Sequence, residues 1–198
     1  MKNIFIGVDP GKQGFITVYD PNKDQYDFYP MPEEKIETGG FSKTGKPEMK
    51  SEFSPMALKN LAIEIDDKYN HSGKYRFHAI IEDVVGRQGW SAQNNFSFGN
   101  TAGIQLMFLM QLNAEVTFVR PQKWQSMMYQ GHEKIMVASS TGKTKVHDTK
   151  ATSAKVAQSL APDIDFRKTT RSKNIDDNKT DSFLMCIYGY KQFLKNNK

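Results

Sequence analysis

One cysteine, Cys186, stands in 198 residues, which excludes an internal disulfide and any cysteine-based zinc-finger spacing. No apolar run approaches the ~20 residues that a membrane-crossing helix needs. The opening MKNIFIGVDPG has a single lysine and a short apolar run ending in Asp-Pro-Gly. That is the pattern of a strand and not of a secretory leader, so a reducing cytoplasm is the expected setting. The four histidines, His71, His78, His132 and His147, are scattered without a metal-pair spacing. STGKTK at 140–145 lacks the earlier glycine of a phosphate-binding P-loop, because Val137 occupies that position. No nucleotide cofactor is therefore expected, and no composition break marks a second domain. Disulfide scaffolds, membrane spans, zinc fingers and P-loop enzymes drop out together.

What remains is a chain of 38% hydrophobic and 25% charged residues, expected to form one globular domain over 1–198 with a sizeable core. It is basic, with 27 Lys and Arg against 22 Asp and Glu. The excess gathers late, at Arg120, Lys123, Lys134, Lys143, Lys145, Lys150, Lys155, Arg167, Lys168, Arg171 and Lys173. Such a stretch suits a polyanionic partner, although surface lysines also serve solubility.

The apolar pattern predicts strands at 3–9, 14–20 and 25–31 as an antiparallel meander. The stretch 33–55 is polar and Gly-rich, and reads as a loop insertion. Met56, Leu58, Leu61, Ala62, Ile65 and Tyr69 recur at helical spacing. YRFHAIIEDV (75–84) is a central strand. A glycine- and aromatic-bearing loop follows over 86–100, then TAGIQLMFLMQLN (101–113), apolar nearly all round and so a buried helix or a dimer face. EVTFV (115–119) is a short strand, and Pro121 opens a helix. A polar loop covers 139–149, Asp148 caps a helix that Pro162 stops, and a last helix runs from 177 to 195. Strands first, then alternating helix and strand, give an α/β layer fold on a mixed five-stranded sheet flanked by helices.

The acids carry the chemistry. Asp9 and Glu82 each end an apolar strand, at the edge where α/β sheets gather ligands. Asp177 and Asp181 lie four apart in NIDDNKTDSFLMCIYGY, hence on one helix face, about 6 Å apart along the axis. An apolar run follows directly, so this charged helix end meets the core, where bare carboxylates are costly. Helix capping accounts for Asp176 or Asp177 but leaves Asp181, Asp9 and Glu82 unexplained. A hard divalent cation, Mg²⁺ or Mn²⁺, accounts for all four. Two such ions about 3.5–4 Å apart clamp the attacking and leaving oxygens of an in-line phosphoryl displacement.

GVDPG on the first strand, AIIEDV on a later one and the helix-starting D-x-x-x-D resemble the RuvC-like Holliday junction resolvases. The segment FSFGNTAGIQLMFLMQLNAEVTFVRPQKWQ is similar to the F-x-F-G helix, short strand and V-x-P-x-x-W of phage-type members. The resemblance covers residues 3–20 and about 77–190. It implies an RNase H-like fold, divalent-metal dependence with two ions per site, and cleavage of four-way DNA junctions by a homodimer. It also implies that Asp9, Glu82, Asp177 and Asp181 are the metal-holding catalytic acids. The bacterial members have their third acid at i, i+3, which here is Asn178, so the share of Asp176 or Asn178 in the site stays open. Nothing in the residues separates junctions from flaps or RNA–DNA hybrids, or cutting from binding of branched DNA on a lapsed site.

Substrate contacts are expected from Arg87 and Trp90 in the loop after Glu82, and from Lys143, Lys145 and Lys150. Phe96 and Phe98 in the same loop are expected to pack beneath the following helix. His147 sits in the basic segment and is a conceivable aid to the leaving group.

Overall fold

The computed structural model describes residues 2–70, 73–83 and 89–197. In chain order these form β1 (Lys2–Val8), β2 (Phe15–Asp20), β3 (Gln25–Pro30), β4 (Glu33–Phe41), β5 (Pro47–Phe53), α1 (Pro55–Asn70), β6 (Tyr75–Glu82) and α2 (Ala92–Gln111). Then follow β7 (Glu115–Val119), α3 (Pro121–Met128), β8 (Met136–Ala138), β9 (Lys145–His147), α4 (Thr149–Leu160) and α5 (Asp177–Asn196). The main sheet has the order β3-β2-β1-β6-β7. Its first three strands pair antiparallel, and β1 with β6 and β6 with β7 pair parallel. This mixed five-stranded sheet with flanking helices is the arrangement expected from the sequence.

Period-two alternation assigns each strand residue to a layer. Ile4, Ile6 and Val8 of β1, with Phe77, Ala79 and Ile81 of β6, join one core with Leu58 and Ile65 of α1 and Phe108 and Leu109 of α2. The alternate residues face the other layer. Ile80 packs there with Trp124, Val156, Phe183 and Leu184, and Phe5 with Tyr19 and Cys186. Asp9 and Glu82 continue that second alternation, so the pleat turns both toward α5.

Helix α5 lies unusually close to β1. A Cβ on Gly7 would stand 2.0 Å from the Ser182 carbonyl oxygen and 2.5 Å from the Cys186 nitrogen, so only glycine permits this approach. Buried polar contacts complete the seat: Thr17 Oγ1 and Ser182 Oγ are 2.8 Å apart, and the Cys186 thiol donates to the Phe5 carbonyl at 3.3 Å.

Three expectations are corrected. Residues 33–53 are not a loop but the hairpin β4–β5, paired only with itself. Its strands are mainly charged and polar and almost wholly exposed, with Ile36 opposite Lys50 and Met49 opposite Glu37, so it carries no core signature. The 139–149 loop is largely the second hairpin, β8–β9, with Val137 opposite Val146. The expected loop 86–100 gives way to helix over most of its described part: the Ser91 side chain accepts from the Asn94 amide and caps α2, which begins at Ala92. FSFGN is therefore helical, and Phe96 is 76% exposed instead of packing beneath a helix. Helix α2 buries only Thr101, Gln105, Phe108 and Leu109 fully, while Met107 and Met110 are more than half exposed.

Candidate active site

Strand register sets the first pair of acids. Val8 pairs with Ile81 across the parallel β1–β6 ladder, so Asp9 and Glu82 follow side by side on strands ~4.8 Å apart. The turn after β1 is tight: the Asp9 amide donates to the Phe15 carbonyl at 3.0 Å, and a Cβ on Gly14 would stand 2.1 Å from the Asp9 carbonyl oxygen. Two side chains from outside the sheet hold this turn. Gln105, fully buried on α2, donates to the Gly11 carbonyl at 3.3 Å, and Asn178 of α5 donates to the Gln13 carbonyl at 3.0 Å.

Helix α5 supplies the second pair. Asp176 is its N-cap, accepting from the Lys179 amide at 3.1 Å. The capping role thus falls on Asp176 and frees Asp177 and Asp181, whose i, i+4 spacing presents both toward Asp9 and Glu82. The four acids feel one another. The Asp9 carboxyl is held well above the usual carboxylate range by burial first, then by the negative charges of Asp181, Glu82, Asp177 and Asp176. Burial likewise pushes Asp181 up to about 7, with Glu82 and Asp177 adding to it and a Ser153 hydrogen bond and the Lys150 charge opposing it.

Helix α4 forms the remaining wall. Asp148 caps it through the Ala151 amide, which places Lys150 and Ser153 one turn apart facing α5. The Lys150 ammonium pairs with Asp177 Oδ2, and that hydrogen bond raises the lysine's pKa. Ser153 in turn lies 2.7 Å from the Tyr129 hydroxyl. The Tyr129 hydroxyl also donates to the Thr149 carbonyl at 3.2 Å, so it ties the end of α3 to the first turn of α4 beside the acids.

Does this set suit a cation? Asp181 Oδ1 is buried with no hydrogen-bond partner, an acceptor in want of positive charge. The donors are hard carboxylate oxygens, the type that Mg²⁺ and Mn²⁺ take. Lys150 supplies a cationic contact to Asp177. Among the described residues no three His, Cys, Asp or Glu side chains already stand together as a closed ligand cage. The residue types fit a divalent ion, and the acids need to close around it.

The other expected contacts divide. Lys150 lies at the acids, paired with Asp177, with its side chain 73% exposed. Lys143 and Lys145 are exposed on the β8–β9 hairpin. Trp90 is 41% exposed at the start of α2, edge-on to Phe98 at 5.7 Å. Arg87 lies outside the described residues. His147 is half-buried, its Nε2 3.0 Å from Thr152 Oγ1. That hydroxyl already donates to the Asp148 carbonyl at 2.8 Å, so the ring nitrogen is the donor, and the histidine braces α4. Gln105, Ser153 and Tyr129 were not anticipated. A lone buried glutamine in the apolar run GIQLMFLM was a readable signal, whereas nothing local distinguishes Ser153 from its neighbours.

No protein-family model matches this sequence, and no curated protein matches it. Among solved structures, Thermus thermophilus RuvC is similar at 13% identity and a TM-score of 0.49, with 96% of each chain covered. T. thermophilus RuvC in complex with Holliday junction substrate is similar at 8% identity and a TM-score of 0.45, again over 96% of each chain.

Proposed function

We propose that this chain is a divalent-metal-dependent endonuclease that hydrolyses phosphodiesters in four-way DNA junctions. The reading is carried by the register that sets Asp9 beside Glu82, by Asp177 and Asp181 sharing a face of the helix packed against β1, and by the buried, unpartnered Asp181 Oδ1. The basic sequence and the resemblance of its ordered motifs to RuvC-like resolvases supply the substrate class.

The four acids would hold two Mg²⁺ or Mn²⁺ ions. When bound, such ions supply Lewis-acid stabilisation of the phosphate and lower the pKa of a water nucleophile. The chain's own residues do the rest. Asp9 and Glu82 are fixed by the sheet, and Asp177 and Asp181 by the Gly7 contact of α5 with β1. Ser153 orients Asp181, and Gln105 sets the turn that aims Asp9. Below about pH 7 Asp181 holds a proton, so the site competes with protons for cations and activity rises through neutral pH. Lys150, exposed beside Asp177, would be placed to bind a substrate phosphate. Hydrolysis adds water across the bond, leaving a 5′-phosphate and a 3′-hydroxyl. Exposed Phe96, Met107 and Met110 of α2 offer the apolar surface for a homodimer that places paired nicks.

The test is cleavage of a labelled four-way junction beside linear duplex, flap and RNA–DNA hybrid, in Mg²⁺ and in EDTA, with Asp181→Asn alongside. Metal-dependent paired cuts at the junction, reduced by roughly 10³-fold in Asp181→Asn, the ~4 kcal/mol of an essential charged group, are expected. Junction binding without cutting in Mg²⁺ or Mn²⁺ overturns the reading in favour of a branched-DNA-binding protein.

A further inference from the structure

The pentapeptide Ser-x-Thr-Gly-Lys occurs twice, at 42–46 and 139–143, and each copy closes one of the two hairpins. The turns match in detail. The Gly45 amide donates to the Ser42 carbonyl at 2.9 Å, and the Gly142 amide to that of Ser139 at 2.8 Å. Ser42 Oγ and Thr44 Oγ1 are 3.0 Å apart, Ser139 Oγ and Thr141 Oγ1 3.1 Å. The serine hydroxyl accepts from the Lys46 amide at 3.2 Å in one turn and from the Thr144 amide at 3.4 Å in the other. Both glycines have positive φ, 73° and 69°, where a side chain would be strained. Each tip is thus ordered by its own hydrogen bonds and presents lysines at little further entropic cost on binding.

Those lysines are available. Lys43, Lys46, Lys143 and Lys145 are all exposed. Lys12, Lys50, Lys68 and Lys155 pair with carboxylates, whereas these four do not among the described residues. The acids of β4–β5 lie below its tip, from Glu33 to Glu37 and at Glu48 and Glu52, and the outer segment 41–47 carries two lysines, no acid, and Phe41 at 71% exposure.

Both hairpins are rooted at the carboxylates, on different walls. At the base of β4–β5, Glu52 bonds Lys12 at 3.2 Å and the Met31 amide donates to the Gly14 carbonyl at 2.9 Å, both in the turn that follows Asp9. At the base of β8–β9, the Asp148 amide donates to the Ile135 carbonyl at 2.9 Å and the Ile135 amide to Thr152 Oγ1 at 3.0 Å, on the helix that carries Lys150 and Ser153. The lengths differ: β8 has three residues and β4 has nine. At ~3.3 Å per residue the long tip stands roughly 25 Å out, about seven nucleotides of one strand at ~3.4 Å each.

We propose that the two tips grip the sugar-phosphate backbone of one DNA substrate. In this arrangement β8–β9 holds phosphates beside the carboxylates, and β4–β5 holds the same arm about seven nucleotides away. The inference rests on the nuclease reading for the position of the substrate but concerns binding alone. It is tested by fluorescence anisotropy of labelled junctions in EDTA across a salt series. The proteins are wild type, Lys43→Ala/Lys46→Ala and Lys143→Ala/Lys145→Ala; the junctions have long arms or arms cut to about five base pairs. Each double variant is expected to lower the log–log salt slope by about 1.8 and to weaken long-arm binding at least about tenfold at moderate salt. On short arms the Lys43→Ala/Lys46→Ala defect disappears while the Lys143→Ala/Lys145→Ala defect persists. An unchanged slope and Kd in Lys43→Ala/Lys46→Ala, an equal defect on short arms, or no DNA binding by the wild type overturns the proposal. Cleavage in Mg²⁺ run in parallel separates the two ideas. Wild type that binds with these slopes and never cuts sinks the nuclease reading and leaves the grip. Wild type that cuts, with hairpin variants that bind and cut as well, sinks the grip alone.

Discussion

Helices α5 and α2 are both 20 residues long, and they use their apolar residues in opposite ways. Helix α2 contains no charged residue, yet only four of its side chains are fully buried and its Met107, Met110 and Phe96 face outward. Helix α5 carries Asp177, Lys179, Asp181, Lys191 and Lys195, yet buries the unbroken run from Ser182 to Gly189. Burial here follows what a helix lies against, not how apolar it is. Helix α5 crosses the middle of the sheet with its backbone against Gly7 and Gly189 against Ile80, and the same close contact draws two aspartates onto the strand-end acids. Helix α2 packs against α1 in the opposite layer and reaches the turn after Asp9 through Gln105.

Four substitutions break or sharpen this contrast, from the largest effect down. Gly7→Ala puts a methyl group into the backbone of α5, and a loss of roughly 3 kcal/mol is expected. A thermal melt should show it as a drop of about 6–12 °C, together with lost cleavage.

Asp181→Asn acts on the same helix in the opposite direction. The folded carboxyl titrates near 7, above its unfolded value near 3.9. A raised folded value means the native state binds the extra proton between those limits. Its contribution to metal-free stability is therefore fully present below about pH 4 and lost as pH rises toward 7. In EDTA at pH 8, Asp181→Asn should be more stable than wild type by a few kcal/mol, and the gap should close at pH 4. Chemical denaturation at the two pH values measures both. Greater stability with lost activity is the signature of a site strained for function.

Gln105→Ala tests the reach of α2 to the turn after Asp9. With the Gly11 carbonyl unsupported, kcat for junction cleavage should fall about tenfold, in the range typical of positioning groups. Junction affinity in EDTA should stay unchanged, which a general loss of structure would not allow. The smallest effect on the monomer belongs to Met107→Glu/Met110→Glu. Exposed positions tolerate such changes within about 0.5 kcal/mol, so the melt of the monomer should barely move, while sedimentation should show loss of the dimer and of paired nicks.

The same contrast explains what the sequence made legible. Asp9 and Glu82 stand out because an apolar, period-two run that ends in an acid is unusual, and the spacing of Asp177 and Asp181 needs only the helix. The hairpins were hidden because exposed, mostly polar strands with no buried face look like polar loop. The exposure of α2 was hidden because an all-apolar helix reads as core until its neighbours are known. Ser153 and Tyr129 depend on how α3, α4 and α5 meet, a tertiary fact that local pattern does not encode.

The central claim is that the four carboxylates form a divalent-cation site, and calorimetric titration of Mn²⁺ into the metal-free protein at pH 7.5 tests it most directly. The account predicts saturable binding in the wild type, with proton release from the acids, and its loss in Asp181→Asn. No saturable binding by the wild type, or the same isotherm in both proteins, would contradict it.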